Sequence, residues 1–171
     1  MNKAIFLDRD GVLNKDYVDY VWTPEKFEIL PGVVEGLQLL KDAGYLLIVI
    51  TNQSGIAKGI YTHEDVDITH TYFQGLCNNA ITEFFYSPYH ESKTASLSRK
   101  PNSFMLERAI AKYNVDIRQS YMIGDKDRDT KPARTIGLRS IAVDDPQRHN
   151  KHADMFAKDL LDAAQKILAS N

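Results

Sequence analysis

The sequence predicts an α/β sandwich of three layers, a mainly parallel central sheet with helices on both faces. Three observations point there. Compact apolar runs at residues 4–7 and 45–50 read as strands buried on both sides, the kind parallel sheets contain. Segments with apolar residues at helical spacing lie between such runs. The resulting order, β-α-β-α-β-α-β-β-α, is that of a doubly wound sheet.

Taken along the chain, residues 4–7 form the first expected strand and lead into Asp8. Val33, Val34, Leu37 and Leu40 share one helical face, and Gly44 is placed to stop that helix. Residues 45–50 give the second strand. Thr62 can cap a helix whose apolar face is Val66, Thr69, Phe73, Leu76, Cys77 and Ala80. Residues 83–86, 121–123 and 139–143 are shorter strand candidates. Leu106, Ala109, Ile110 and Tyr113 follow the i, i+3, i+4, i+7 rule, and Phe156, Leu160, Ala164, Ile167 and Leu168 suggest a closing helix. Two irregular stretches, 14–30 and 87–101, follow strand ends, where open α/β sheets bind ligands. They are the candidate substrate loops.

The 171 residues suit one domain with a sizeable core, and neither loop is long enough for a separate cap. A net charge of −2 with no basic stripe offers no footprint for nucleic acid. The longest apolar run is too short to span a bilayer, and no leader pattern opens the chain. A single cysteine, Cys77, excludes an internal disulfide and fits a reducing compartment, so a cytoplasmic location is expected.

The chemistry gathers at the polar strand ends: Asp8 and Asp10, then Thr51-Asn52-Gln53-Ser54, then Arg99-Lys100, then Asp125 with Asp129. Each part suits phosphoryl transfer. One carboxylate can attack phosphorus and form an acyl-phosphate, and a second, two residues on, can protonate the leaving oxygen. Thr51 and the amides after it can donate to phosphate oxygens, and Lys100 supplies a compact positive charge. Asp125 completes an oxygen-rich site of the kind Mg²⁺ prefers.

The run Phe6-Leu7-Asp8-Arg9-Asp10-Gly11-Val12-Leu13-Asn14 resembles motif I of the haloacid dehalogenase superfamily of phosphohydrolases. The order of motif I, Thr51, Lys100 and Gly124-Asp125 matches that superfamily's four motifs over nearly the whole chain. Adding residues 51–59, Arg99-Lys100-Pro101 and Gly124-Asp125-Lys126 makes the chain similar to one subgroup. That subgroup holds the D-glycero-D-manno-heptose 1,7-bisphosphate 7-phosphatases and the histidinol-phosphatase domains.

The resemblance implies a Rossmann-like fold with a minimal cap and a Mg²⁺-dependent phosphomonoesterase. It implies Asp8 as nucleophile and Asp10 as general acid and base. Mg²⁺ would be held by the Asp8 carboxylate, the Asp10 main-chain carbonyl and Asp125. Phosphate and substrate would be held by Thr51, Asn52, Gln53, Ser54, Arg99, Lys100 and Lys126, with the loop from Asp16 to Tyr20 facing the substrate. The expected substrate is a small phosphorylated sugar, heptose 1,7-bisphosphate first and histidinol phosphate as the alternative. A non-catalytic phospho-ligand-binding protein has no need of a nucleophile and an acid two residues apart. A phosphatase of nucleic-acid ends would want a basic groove.

One departure matters. The subgroup commonly carries a zinc loop, Cys-x-His and Cys-x-Cys, ahead of Arg-Lys-Pro. Here Ser87-Pro88-Tyr89 and Ser96-Leu97-Ser98 stand in those places, with His90 adjacent. Hydroxyls are poor zinc ligands, so no zinc is expected, and Tyr86 and Tyr89 become candidates for ordering the loop. Asp129 can support the metal from behind, act as a helix N-terminal acid or be a surface charge, the first being favoured, and Arg99 is expected to meet either substrate phosphate or the loop. Lys126 is expected at the site, while Arg128 reads as solvated. His63, His70, His149 and His152 read as surface residues, Cys77 as core, and Trp22 and Phe27 as packing for the 14–30 loop.

Overall fold

Residues 1–17 and 19–170 are described by the computed structural model; Val18, within the expected 14–30 loop, and Asn171 lie outside them. Six strands are present: β1 (Ala4–Leu7), β2 (Leu46–Asn52), β3 (Glu83–Ser87), β4 (Tyr121–Gly124), β5 (Arg139–Val143) and β6 (Met155–Ala157). They form one sheet in the order β3-β2-β1-β4-β5-β6. Every pairing is parallel.

The helices are α1 (Val33–Asp42), α2 (His63–Leu76), α3 (Phe104–Tyr113), α4 (Asp127–Thr135) and α5 (Leu160–Ala169). Alternation along β1 sorts its side chains onto two faces. Ile5 and Leu7 join the core under α1, α2 and α5, where Leu37, Phe73 and Ile167 are buried. Ala4 and Phe6 join the core under α3 and α4, with Leu106 and Ala133. Each fully buried Leu, Ile or Phe contributes about 1.5–3 kcal/mol over its exposed state. These two cores fix the sheet as the middle of three layers.

Several expectations change. The expected three-layer α/β sandwich stands, its sheet parallel throughout; the differences lie in single elements. Phe156 belongs to strand β6, and the closing helix begins only at Leu160. A helix, α4, stands between β4 and β5, where none was expected. Its sequence DRDTKPART is almost wholly polar and contains Pro132, so it lacks an apolar stripe. On α1 the buried side chains are Val33, Leu37 and Leu40, whereas Val34 is exposed. On α2 Thr62 does cap, through a reciprocal box with Asp65, while Leu76 faces outward and His70 faces in.

The strand order reverses at β1. The chain lays β2 and β3 on one side of it and β4, β5 and β6 on the other. Ligands of open α/β sheets bind at such a point, outside the carboxyl ends of the strands. Asp8 follows β1 and Asp125 follows β4, side by side across that crevice.

Candidate active site

The crevice holds a buried acid well. One oxygen from each of Asp8, Asp125 and Asp129 lies within 4.8 Å of the others. Lys100 reaches into it from the loop before α3, its Nζ 2.8 Å from Asp8 Oδ1 and 2.7 Å from Asp129 Oδ1. The same ammonium donates to the Ile50 carbonyl at 2.7 Å, which ties the well to the end of β2. Burial alone would pull Lys100 toward neutrality, but Asp129 and Asp8 outweigh it and hold the charge.

Asp8 feels the opposite balance. Burial, reinforced by Asp129, pushes its carboxyl up to about 6 against the pull of Lys100 and Arg128. Asp125 is also raised, by burial and by Asp8. Asp8 Oδ2 and Asp125 Oδ1 are buried without a hydrogen-bond donor among the described residues. Such oxygens are costly to leave unsatisfied. Free oxygens on carboxylates grouped this closely suit a hard divalent cation, so this donor set fits Mg²⁺.

Two glycines make the well possible. Gly11 has φ +92, and a Cβ there would collide with the Asp125 carboxylate. A Cβ at Gly124 would collide with the Asp129 side chain. Both positions need the missing side chain for close approach.

Asp10, two residues on, sits in another environment. Arg9 donates to it from Nε (3.1 Å) and Nη2 (3.0 Å), Asn14 donates at 3.0 Å and Gln53 at 3.2 Å. Burial would raise Asp10, yet the Arg9 charge and these four hydrogen bonds win and lower it. Arg9 is itself buried, with Nη2 also donating to the Val21 carbonyl at 2.6 Å. The Asp10 carboxylate is not part of the acid well.

Beside Asp10 lies a cleft of about 280 Å³ lined by Arg9, Asp10, Asp16, Tyr17, Tyr20, Val21, Asn52, Gln53, Ser54, Arg99 and Arg128. The expected residues therefore gather, but several are already engaged. Asn52 exchanges two hydrogen bonds with the Lys100 backbone, at 3.0 and 3.1 Å, so its amide positions the lysine. Gln53 bridges Thr51 Oγ1 and Asp10 and accepts from Tyr61 at 2.9 Å. Thr51 is buried beside them. Arg99 donates to the Tyr89 carbonyl at 3.1 Å while lining the cleft. Lys126 pairs with Asp125 at 3.3 Å and with Asp16 of the 14–30 loop.

Other expectations need correction. Arg128 is half-buried in the cleft rather than solvated. His70 is buried, stacked on Phe84 at 4.1 Å, and lowered to about 3 by burial and Arg9. His152 is half-buried against Asp127, while His63 and His149 are exposed. Cys77 is core, as expected. Phe27 is buried and packs on Phe73, and Trp22 stacks on Tyr61. In the 87–101 loop the ordering contacts are not aromatic at Tyr89, which is exposed. Ser98 Oγ instead bonds to Ser87 Oγ at 3.0 Å and to Ser96 Oγ at 2.9 Å. Sequence reading missed Arg9, Arg128 and Tyr61; a lone arginine between two aspartates was the available sign.

Comparison with known proteins agrees with this geometry. A family model described as HAD-hydrolase-like matches residues 97–163. A D-glycero-beta-D-manno-heptose-1,7-bisphosphate 7-phosphatase of Haemophilus influenzae is 42% identical over 139 residues, covering 77% of this chain and 75% of the relative. The chain belongs to the HAD-like hydrolases. A relative of the same name from Rhodopseudomonas palustris is 33% identical and covers 98% of this HAD-like chain and 95% of its own. The crystal structure of a D,D-heptose 1,7-bisphosphate phosphatase from B. bronchiseptica, complexed with magnesium and phosphate, superposes with a TM-score of 0.89. It is 26% identical and covers 99% of both chains. Like these relatives, the chain is a phosphoric monoester hydrolase. Among its described residues no helix is long and apolar enough to cross a membrane.

Proposed function

We propose that this chain removes the 7-phosphate of D-glycero-D-manno-heptose 1,7-bisphosphate through an aspartyl-phosphate on Asp8. The observation that carries the reading is the pairing of environments. A carboxylate with one free oxygen lies in a cation-seeking well, and a second carboxylate two residues along lines an adjoining cleft. The names of the H. influenzae and R. palustris relatives supply the substrate.

An Asp8 oxygen attacks phosphorus, forming the acyl-phosphate while the sugar alkoxide departs and takes a proton from Asp10. Asp10 then accepts a proton from the water that attacks the acyl-phosphate, returning free Asp8 and inorganic phosphate. The Arg9 fork keeps Asp10 ionised at rest, the form needed for that second half, so the proton given to the alkoxide is one that Asp10 must first take from solvent as substrate binds. Lys100 and the hydroxyl of Thr51 stabilise phosphate charge, and Ser54 and Arg99 face the substrate. Mg²⁺, when bound, would be held by Asp8, the Asp10 carbonyl and Asp125, and neutralises charge between the anionic nucleophile and the phosphate. Asp129 holds Lys100 from behind.

The loop at 87–101 works without zinc in this reading, because its three serine hydroxyls satisfy one another. Residues 1–171 act as one cytoplasmic phosphatase domain on a small phosphorylated substrate. Phosphate release by the purified protein with Mg²⁺ tests the reading, comparing heptose 1,7-bisphosphate with histidinol phosphate. A strong preference for the heptose is expected; preference for histidinol phosphate overturns the substrate. Metal analysis that finds stoichiometric zinc overturns the loop assignment.

A further inference from the structure

We infer that Arg128 is a specificity residue that grips a second anionic group of the substrate, the phosphate that is not cleaved. The inference rests on the bisphosphatase reading above. Arg128 is the second residue of α4 and lines the same cleft as Asp10 and Arg99. Its Nε is buried without a hydrogen-bond partner, and among the described residues the guanidinium makes no hydrogen bond or close ion pair. The nearby carboxylates of Asp8, Asp129, Asp125 and Asp16 favour its charge without binding it.

Three neighbouring cations are committed, whereas Arg99 gives a single nitrogen to the Tyr89 carbonyl. Lys100 serves Asp8 and Asp129, Lys126 serves Asp125 and Asp16, and Arg9 serves Asp10 and Val21. Arg9 keeps one buried nitrogen, Nη1, unpartnered, and Arg9 lines the same cleft. A guanidinium that has lost water and gained no acceptor is a standing cost. A phosphate, with its several acceptor oxygens, removes that cost and matches the planar fork. The scissile phosphate lies at Asp8 and Lys100 in the proposed mechanism. A free guanidinium elsewhere in the cleft therefore suits the other end of a bisphosphate. Position 128 then separates bisphosphates from monophosphates, whereas the acid well serves any phosphate ester.

Steady-state kinetics of Arg128→Gln and Arg128→Lys with Mg²⁺ test this. The probes are heptose 1,7-bisphosphate, p-nitrophenyl phosphate, and heptose 1-phosphate as product inhibitor. For Arg128→Gln, kcat/KM on the bisphosphate should fall roughly tenfold to hundredfold, mainly through KM. The inhibition constant of heptose 1-phosphate should rise by a similar factor. Turnover of p-nitrophenyl phosphate and inhibition by inorganic phosphate should fall far less than turnover of the bisphosphate, by the part that Arg128 contributes to the charge of Asp8, and Arg128→Lys should recover part of the loss. An equal fall on the bisphosphate and p-nitrophenyl phosphate overturns the inference, since Arg128 would then act on Asp8 alone. No change on either substrate overturns it too. Those two results leave the bisphosphatase reading standing. If wild type cleaves p-nitrophenyl phosphate but not the heptose bisphosphate, that reading fails and takes this inference with it.

Discussion

Asp8 and Asp10 are separated by one residue, yet the regions they occupy are electrostatic opposites. Asp8 lies in a well of acids gathered around one ammonium, and its affinity for a proton rises. Asp10 lies against a guanidinium at the mouth of a cleft lined by three arginines, and its affinity falls. The well is built to receive a cation and the cleft to receive an anion. A sharp turn at Gly11, closed by hydrogen bonds from Leu13 and Asn14 back to the Arg9 carbonyl, is what separates them. Neighbours in sequence can thus be assigned different chemistry by backbone direction alone.

The largest effect should come from removing the nucleophile. Asp8→Asn should lower phosphate release from p-nitrophenyl phosphate by roughly ten-thousand-fold or more while far-UV circular dichroism stays unchanged. Retained turnover would break the division of roles between the two regions.

Next is the ammonium that holds the well together. Lys100→Met leaves Asp8 and Asp129 buried and uncompensated, which should reduce unfolding stability by about 3–5 kcal/mol in urea titration at pH 7. Excess Mg²⁺ should restore part of the loss, because it binds the same carboxylates. A neutral result would mean the acids are not paired through Lys100.

The cleft is probed more gently. Arg9→Gln removes the charge that lowers Asp10, so the acidic limb of kcat against pH, set by the step in which an ionised Asp10 accepts a proton from water, should move upward, with kcat reduced roughly tenfold to hundredfold. An unmoved limb would separate Arg9 from Asp10.

The effect furthest from the chemistry concerns His70, which burial and the same Arg9 lower to about 3. A histidine in the unfolded chain binds its proton near 6.5, so below that pH the unfolded state holds more protons than the native one. Stability should fall as pH drops from about 6.5 toward 3, with a slope for this one group of at most about 1.4 kcal/mol per pH unit. Comparing His70→Phe with wild type by thermal melts across pH 4–7 should show a shallower acid loss in the variant. Parallel melts would show that His70 is not held neutral.

Much of this was legible in the chain. The strand at residues 4–7 was read with its exact limits, because apolar runs buried on both faces leave an unbroken mark. The four polar strand ends were found for a related reason: carboxylates and lysine directly after such runs are conspicuous. What escaped detection lacked an apolar pattern. Helix α4 is polar along most of its length and is held by its capping contacts and by Ala133 and Pro132 packed inward. Strand β6 has three residues, too few for a period to show, and Phe156 was absorbed into the helix that follows. Arg128 and His70 could not be placed because burial of a single charged or aromatic polar residue depends on what lies opposite, which spacing does not record. The serine contacts across the 87–101 loop are likewise a matter of geometry between residues up to eleven positions apart.

Asp129 carries a consequence for how such a protein can change over generations. One of its oxygens accepts the backbone N–H that opens α4, at 3.1 Å, and the other pairs with Lys100 at 2.7 Å. The same carboxylate therefore starts a helix and fixes the charge of the reactive centre. A substitution there would erode folding and chemistry together, so a lineage cannot keep this scaffold as a passive binder by losing catalysis at position 129. Drift toward new substrates is free to run through position 128 instead, one residue away, where the side chain has no hydrogen bond among the described residues to lose.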